Sequence, residues 1–342
     1  MLMVVFGAGA SYDSFPSLPP LPANRGTHAD RPPLAAELFS ERPEFNDVLK
    51  SYPDCQTIVP YLRRVGASVE KELGRLSDEA AGNPTRHRQL ADVRYYLHEI
   101  LWRCENRWKL FTSGVSNYRT FMDQIAEWTE PLGQILLVTF NYDRLLEDAM
   151  TAVRLNIKQL PDYISDRKFK LIKLHGSINW TRPILVVSDG WERISGRDVI
   201  NEVISRFNEL QVSSEIQITT QIPMAKHKDG KHALFPAIAI PVQNKADFEC
   251  PPAHLEALQE CLPNVTKLVV IGWRGAENHF KKLLAERLRG TIPTLIVGGN
   301  AESAIETLEN LTSSGIQTKD QIFGHGFSQF VVDRFGSNFL QH

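Results

Sequence analysis

Five short stretches carry the residues best suited to chemistry, and each directly follows an apolar run: Gly7, Ala8, Gly9, Ala10 and Ser11 in GAGAS; Thr139, Asn141 and Asp143 in TFNYD; His175 in KLHGS; Gly272 and Arg274 in IGWRGAENH; and Asn300 in VGGN. Glycines alternating with alanine let a ligand phosphate reach the main chain and put N–H groups at a helix start within its range. The same spacing equally suits a tight turn that needs positive φ. A carboxamide placed before a helix, as Asn141 is, can hydrogen-bond ribose hydroxyls or a water. Asp143 serves as well for capping the helix that follows as for chemistry. His175 stands after an apolar-patterned run and directly before a glycine, where an imidazole that titrates near neutrality can accept a proton or simply sit buried with its hydrogen bonds satisfied.

The elements that must position these residues are legible from hydrophobic pattern. LMVVFG, ILLVTFN, KLIKLHG, AIAIPV, KLVVIGW and TLIVGGN are apolar without alternation, the pattern of strands covered on both faces in a parallel sheet. Helical spacing falls between them: DRLLEDAMTAV aligns Leu145, Ala149 and Val153, and ENHFKKLLAERLRG aligns Phe280, Leu284 and Leu288 before Gly290. Strand followed by helix, repeated, predicts a Rossmann-like α/β fold with a doubly wound parallel sheet, whose ligand crevice lies beyond the carboxyl ends of the strands. A hydride-transferring dehydrogenase is disfavoured. Its fingerprint requires a third glycine three residues after Gly9, which this sequence lacks, and an acidic residue about 20 positions on at the end of a second strand, where this sequence turns helical instead.

Two stretches interrupt the alternation. Residues 34–128 read as a helical insertion after the first strand, with Leu90, Val93, Leu97, Leu101, Cys104 and Trp108 on one stripe. A second insertion, at about 181–236, mixes signals and carries a basic tip, KHKDGKH. The core is expected over residues 1–33 and 129–342. The proline-rich SFPSLPPLPANRGTHADRPP predicts a long loop over the sheet.

Bulk composition narrows the partners. With 38 Lys and Arg against 40 Asp and Glu the formal net charge is −2, which supplies no footprint for direct nucleic-acid or membrane binding. Four cysteines, Cys55, Cys104, Cys250 and Cys261, form neither a CxxC pair nor a cysteine–histidine ladder, so no metal site or disulfide framework is expected and a cytoplasmic setting fits. No run approaches the length of a membrane span.

Taken in order, GAGAS, TFNYD, KLHGS, IGWRGAENH and VGGN resemble the sirtuin (silent information regulator) family, and within it the prokaryotic antiphage-defence branch more than the protein deacylases. The resemblance covers the core from Met1 to about Asn300 and neither insertion. It implies that NAD+ is the substrate. Gly7, Ala8, Gly9 and Ser11 would meet its phosphates and ribose, Thr139 would lie at the same strand ends, Gly272 would belong to a later phosphate and ribose loop with Arg274 able to pair with a phosphate, and Asn300 would lie on the adenosine side. Asn141 would orient the nicotinamide ribose and a water, Asp143 would hold the nicotinamide amide, and His175 would be the catalytic histidine. Deacylases carry a four-cysteine zinc module after the histidine, whereas this chain has no cysteine between Cys104 and Cys250 and has SFPSLPP where GIPDFR introduces their peptide-pairing segment. Arg274 stands where the family has a small or hydroxylic residue. The resemblance therefore implies an NAD+ glycohydrolase that yields ADP-ribose and nicotinamide, a defence effector held silent until oligomerisation or a partner, such as a HerA-type ATPase or a short Argonaute, releases it. An NAD-dependent deacylase and a non-catalytic NAD or ADP-ribose-binding module are the alternatives.

Overall fold

A computed structural model describes residues 1–20, 28–64, 66, 68–128, 133–185, 191–219, 226, 232–242 and 248–341. The centre of the basic tip (227–231) and of the proline-rich stretch (21–27) lie outside the described residues. The strands are β1 Leu2–Phe6, β2 Ile135–Thr139, β3 Phe169–Lys173, β4 Gly176–Pro183, β5 Gln217–Ile218, β6 Leu234–Ile238, β7 Lys267–Ile271, β8 Ile292–Val297 and β9 Thr318–Phe323. The chain forms two compact units, one of Met1–Pro32, Glu105–His175 and Asn244–His342, the other of Pro33–Cys104 and Gly176–Gln243.

The first unit holds a six-stranded sheet in the order β3-β2-β1-β7-β8-β9, every pair parallel. The chain builds outward from β1 to β2 and β3, then returns to β7 on the other side of β1, so the order reverses between β1 and β7. In open parallel α/β sheets such a reversal is where ligands bind, outside the carboxyl ends of the strands. All residues of β1 and β2 are buried, as expected of apolar runs that do not alternate. On one face Met3, Val5, Leu136, Val138, Leu268 and Val270 pack with Leu258, Phe280 and Leu284 from the helices Pro252–Cys261 and Asn278–Arg287. On the other, Phe6 meets Tyr118 at 5.3 Å and Phe121 at 6.2 Å from the helix Asn117–Trp128, and Phe327 at 6.4 Å from the helix Gly326–Val332. Helices on both faces make this a doubly wound, Rossmann-like α/β fold.

The units part at points other than those the sequence marks. Residues 105–128, read as the end of the helical insertion, lie in the sheet unit because Tyr118 and Phe121 bury against Phe6. The second unit contains a three-stranded antiparallel sheet, β5-β4-β6. The run AIAIPV, expected in the parallel sheet, contributes only its first two residues to a strand, and that strand, β6, pairs antiparallel with β4. Its residues are buried throughout, and full burial leaves no alternation to separate the two sheet types. In the same unit the helical residues 84–104 anchor β6 and β4, with Tyr95 donating to Leu234 O at 2.6 Å and His98 lying 2.8 Å from Ile178 O. No helix among the described residues is long and apolar enough to cross a membrane.

Candidate functional site

The glycine turn after β1 is committed first to packing. Gly7 N–H donates to Ile271 O and Gly9 N–H to Gly272 O, both at 3.0 Å, and Ala10 N–H returns to Gly7 O at 2.9 Å. A Cβ on Gly7 would stand 2.5 Å from Trp273 Cα, and one on Gly9 would stand 2.9 Å from Gly272 Cα. Gly272 itself has φ +62, and a Cβ there would meet Ala10 N at 2.3 Å. The small residues thus let the turns after β1 and β7 lie main chain against main chain at the point where the strand order reverses. Three N–H groups of this turn, on Gly7, Gly9 and Ala10, therefore already have backbone acceptors.

Beside that turn, four side chains converge. Asn141 follows β2 and is 6% exposed; its Nδ2 lies 2.9 Å from each of Gly7 O, Ser11 Oγ and Tyr118 OH. Ser11 Oγ and Tyr118 OH are themselves 2.9 Å apart, and Ser11 also hydrogen-bonds the Asp143 carboxylate. Thr139 Oγ1 accepts from Asn141 N at 3.1 Å, so it shapes the turn rather than the cluster. Asp143 accepts from Leu145 N at 3.1 Å, the local capping contact that its sequence position suggested, while facing Ser11 as well. Burial, with Glu105 adding to it, pushes the Asp143 carboxyl up to about 6 against the pull of Lys173 and of its hydrogen bonds to Ser11 and Leu145. Lys173, fully buried at the end of β3, donates to Asp143 O and to Glu147 Oε1 at 2.8 Å, and Glu105 binds Arg144 through both its N–H and its guanidinium. The backbone that presents Asn141 and Asp143 is therefore pinned from two sides.

His175 sits one strand over. The register Thr139↔Lys173 places Asn141 and His175 at equal depth beyond β2 and β3. The carboxamide is engaged with Ser11 and Tyr118, whereas the imidazole ring lies edge-on to Phe140 at 4.9 Å and stacks toward Tyr142 at 6.2 Å. Glu249 N–H donates to Leu174 O at 3.0 Å, fixing the backbone beside the histidine. Phe140 in turn stacks on Trp273 at 5.2 Å with an interplanar angle of 11°, so rings from the ends of β3, β2 and β7 form a ladder. Two expected residues stand apart from the cluster. Asn300 is exposed, and its side chain caps the helix Ala301–Thr312 by accepting from Ser303 N at 2.8 Å. Arg274 is exposed, and its carbonyl accepts from Asn310 Nδ2 at 2.8 Å.

Sequence reading did not find Tyr118, Lys173 or Glu105. Lys173 carried a visible signal, a lysine inside the apolar run KLIKL; the other two read as ordinary helix residues. Among the described residues no group of three metal-ligating side chains occurs.

The strand ends bearing Asn141, Asp143 and His175 fall inside the one segment that a protein-family comparison recognises. Residues 135–214 match the SIR2-like domain. No curated protein matches the chain. Among solved structures it is similar to a Sir2 homologue in complex with NAD, at 13% identity over 99% of this chain and 89% of that one, TM-score 0.41. A mutant Sir2 homologue bound to 2′-O-acetyl ADP-ribose gives 14% identity over 100% and 93%, TM-score 0.44. A third, Sir2 with an inhibitor, 2′-O-acetyl-ADP-ribose and a deacetylated peptide, gives 11% identity over 100% and 95%, TM-score 0.39.

Proposed function

We propose that this chain is a sirtuin-like NAD+ glycohydrolase that hydrolyses NAD+ to ADP-ribose and nicotinamide. One observation carries the reading: Asn141 and Asp143, gathered with Ser11 at the strand-order reversal, and His175 at the next strand end all lie within the segment matched by the SIR2-like domain. The bond to break joins the ribose anomeric carbon to the pyridinium nitrogen, and its cleavage passes through an oxocarbenium-like state. The leaving group is already cationic and departs as neutral nicotinamide without needing a proton. Asp143 accepts from the nicotinamide amide, Asn141 orients the ribose and the attacking water, and His175 takes the proton that this water loses as its oxygen bonds to the anomeric carbon. The hydrogen bonds that tie Asn141 and Asp143 to Ser11 keep those two groups fixed while charge develops.

An enzyme of this kind drains its own cell's NAD+, so we assign it to the cytoplasm as a defence effector against phage, silent until it oligomerises or meets a partner such as a HerA-type ATPase or a short Argonaute. The test is chromatography of NAD+ after incubation with the protein alone and with the products of neighbouring genes. Nicotinamide and ADP-ribose are expected, with turnover falling at least about 100-fold in Asn141→Ala and in His175→Ala. Absence of nicotinamide under both conditions, or full turnover in both variants, overturns the reading. Release of O-acetyl-ADP-ribose from an acetylated peptide would overturn it in favour of a deacylase.

A further inference from the structure

Tyr118 is the member of the Asn141 cluster that comes from neither β1, β2 nor their turns; it stands in the first turn of the helix Asn117–Trp128. Its ring is fixed by packing, 5.3 Å from Phe6 and 5.5 Å from Phe327, which leaves the hydroxyl a separate task. Proton counting shows what that task is. Asn141 Nδ2 carries two protons and has three oxygens at 2.9 Å: Gly7 O, Ser11 Oγ and Tyr118 OH. Gly7 O is only an acceptor and takes one. The Ser11 proton is drawn to the Asp143 carboxylate, so Ser11 Oγ accepts from Tyr118 OH, and the phenol oxygen accepts the second amide proton. Every donor in this chain then has an acceptor. Rotating the carboxamide by a half-turn would set Asn141 Oδ1 against Gly7 O, two acceptors in contact, so the arrangement also decides which way the amide faces.

We propose that Tyr118 is a positioning residue whose hydroxyl locks the Asn141 carboxamide with Oδ1 turned away from the glycine turn and aims the Ser11 hydroxyl at Asp143. Its consequence for turnover rests on the NAD+ glycohydrolase reading; the geometry it sets does not. A helical element outside the strand-end motifs thereby becomes part of the site.

Tyr118→Phe keeps the ring and removes the relay. With NAD+ as substrate, kcat is expected to fall about tenfold while KM changes less than about twofold, because the loss is in orientation rather than in contact with substrate. In an Asn141→Ala background the same substitution is expected to cost less than it does alone, since part of its effect runs through Asn141. A readout independent of activity uses protein labelled with 15N at asparagine, with the Asn141 side-chain amide assigned by its loss in Asn141→Ala. In the wild type both amide protons are expected to resist solvent exchange, and in Tyr118→Phe exchange is expected to speed at least about tenfold. Unchanged kcat, an undiminished penalty in the Asn141→Ala background, or a wild-type amide that exchanges freely overturns the proposal. If the wild type releases no nicotinamide but the exchange result holds, the glycohydrolase reading fails and the positioning role stands.

Discussion

Asp143 and Lys173 are ionisable residues packed beside the Asn141 cluster. Burial pushes the Asp143 carboxyl up to about 6, above its ordinary value of 3.8. The folded state therefore holds this proton more tightly than the unfolded chain. The stability it contributes is complete below about pH 4 and is lost as pH rises through about 6, a cost on the order of 3 kcal/mol at neutrality. Asp143→Asn is expected to raise the thermal midpoint at pH 7.5, with the gain vanishing at pH 4, while abolishing turnover. On the proposed glycohydrolase reading, in which the carboxylate would accept from the nicotinamide amide, wild-type turnover is expected to rise with pH through about 6; a flat profile between pH 5 and 7 would remove Asp143 from the mechanism. Lys173 pairs with Glu147 at 2.8 Å in a buried setting. Lys173→Met leaves that carboxylate unpaired and is expected to cost about 3–5 kcal/mol in denaturant unfolding, most of it recovered by adding Glu147→Leu.

The two turns that follow β1 and β7 act as one element. Their glycines are needed for close approach, and the contrast between two positions of similar backbone makes this measurable. Gly272 has φ +62 and no room, a Cβ meeting Ala10 N at 2.3 Å, whereas Gly290 has φ +70 and nothing within 4 Å. Gly290→Ala is expected to cost about 1 kcal/mol, the ordinary price of a left-handed conformation. Gly272→Ala must in addition push apart the strands' carboxyl ends, and is expected to lower stability by more than about 4 kcal/mol or to prevent soluble expression. Equal costs at the two positions would show that the turns do not depend on contact. The lysine and glutamate that pin the Asn141–Asp143 turn work at this scale too, since they hold backbone and not substrate.

Across the sheet unit, segments far apart in sequence are tied at one buried point. Asp13, 5% exposed, accepts from Ser328 N at 2.9 Å and from the Ser328 hydroxyl, while Asn117 Nδ2 donates to Asp13 O at 2.7 Å and lies 2.8 Å from Ser328 Oγ. This knot holds the helices Asn117–Trp128 and Gly326–Val332 against the loop that leaves the glycine turn. Through Tyr118 it bears on the site. Asp13→Ala strands the Ser328 N–H and hydroxyl in a buried place and is expected to cost about 3 kcal/mol, with protease cleavage appearing first near residues 326–341. Protection of that segment unchanged from wild type would show that Asp13 does not hold it.

The amino-acid sequence by itself determined the local facts. Unbroken apolar runs fixed β1, β2, β3, β7 and β8 as buried strands, helical spacing fixed what lies between them, and the residues after each run named Asn141, Asp143 and His175, because burial period and chain punctuation are written residue by residue. It did not show β9, whose TKDQIF is polar because its middle residues are exposed, nor that β6 pairs antiparallel in a separate small sheet. Only the tertiary structure decided that the opening glycines serve loop-to-loop contact, that Asn300 caps a helix, and that Tyr118 reaches Ser11 across 107 positions and Asn141 meets Gly7 across 134. The reason is physical: a residue's exposure follows from its neighbours along the chain, but its hydrogen-bond partner depends on which distant segment the sheet order carries to the same strand ends.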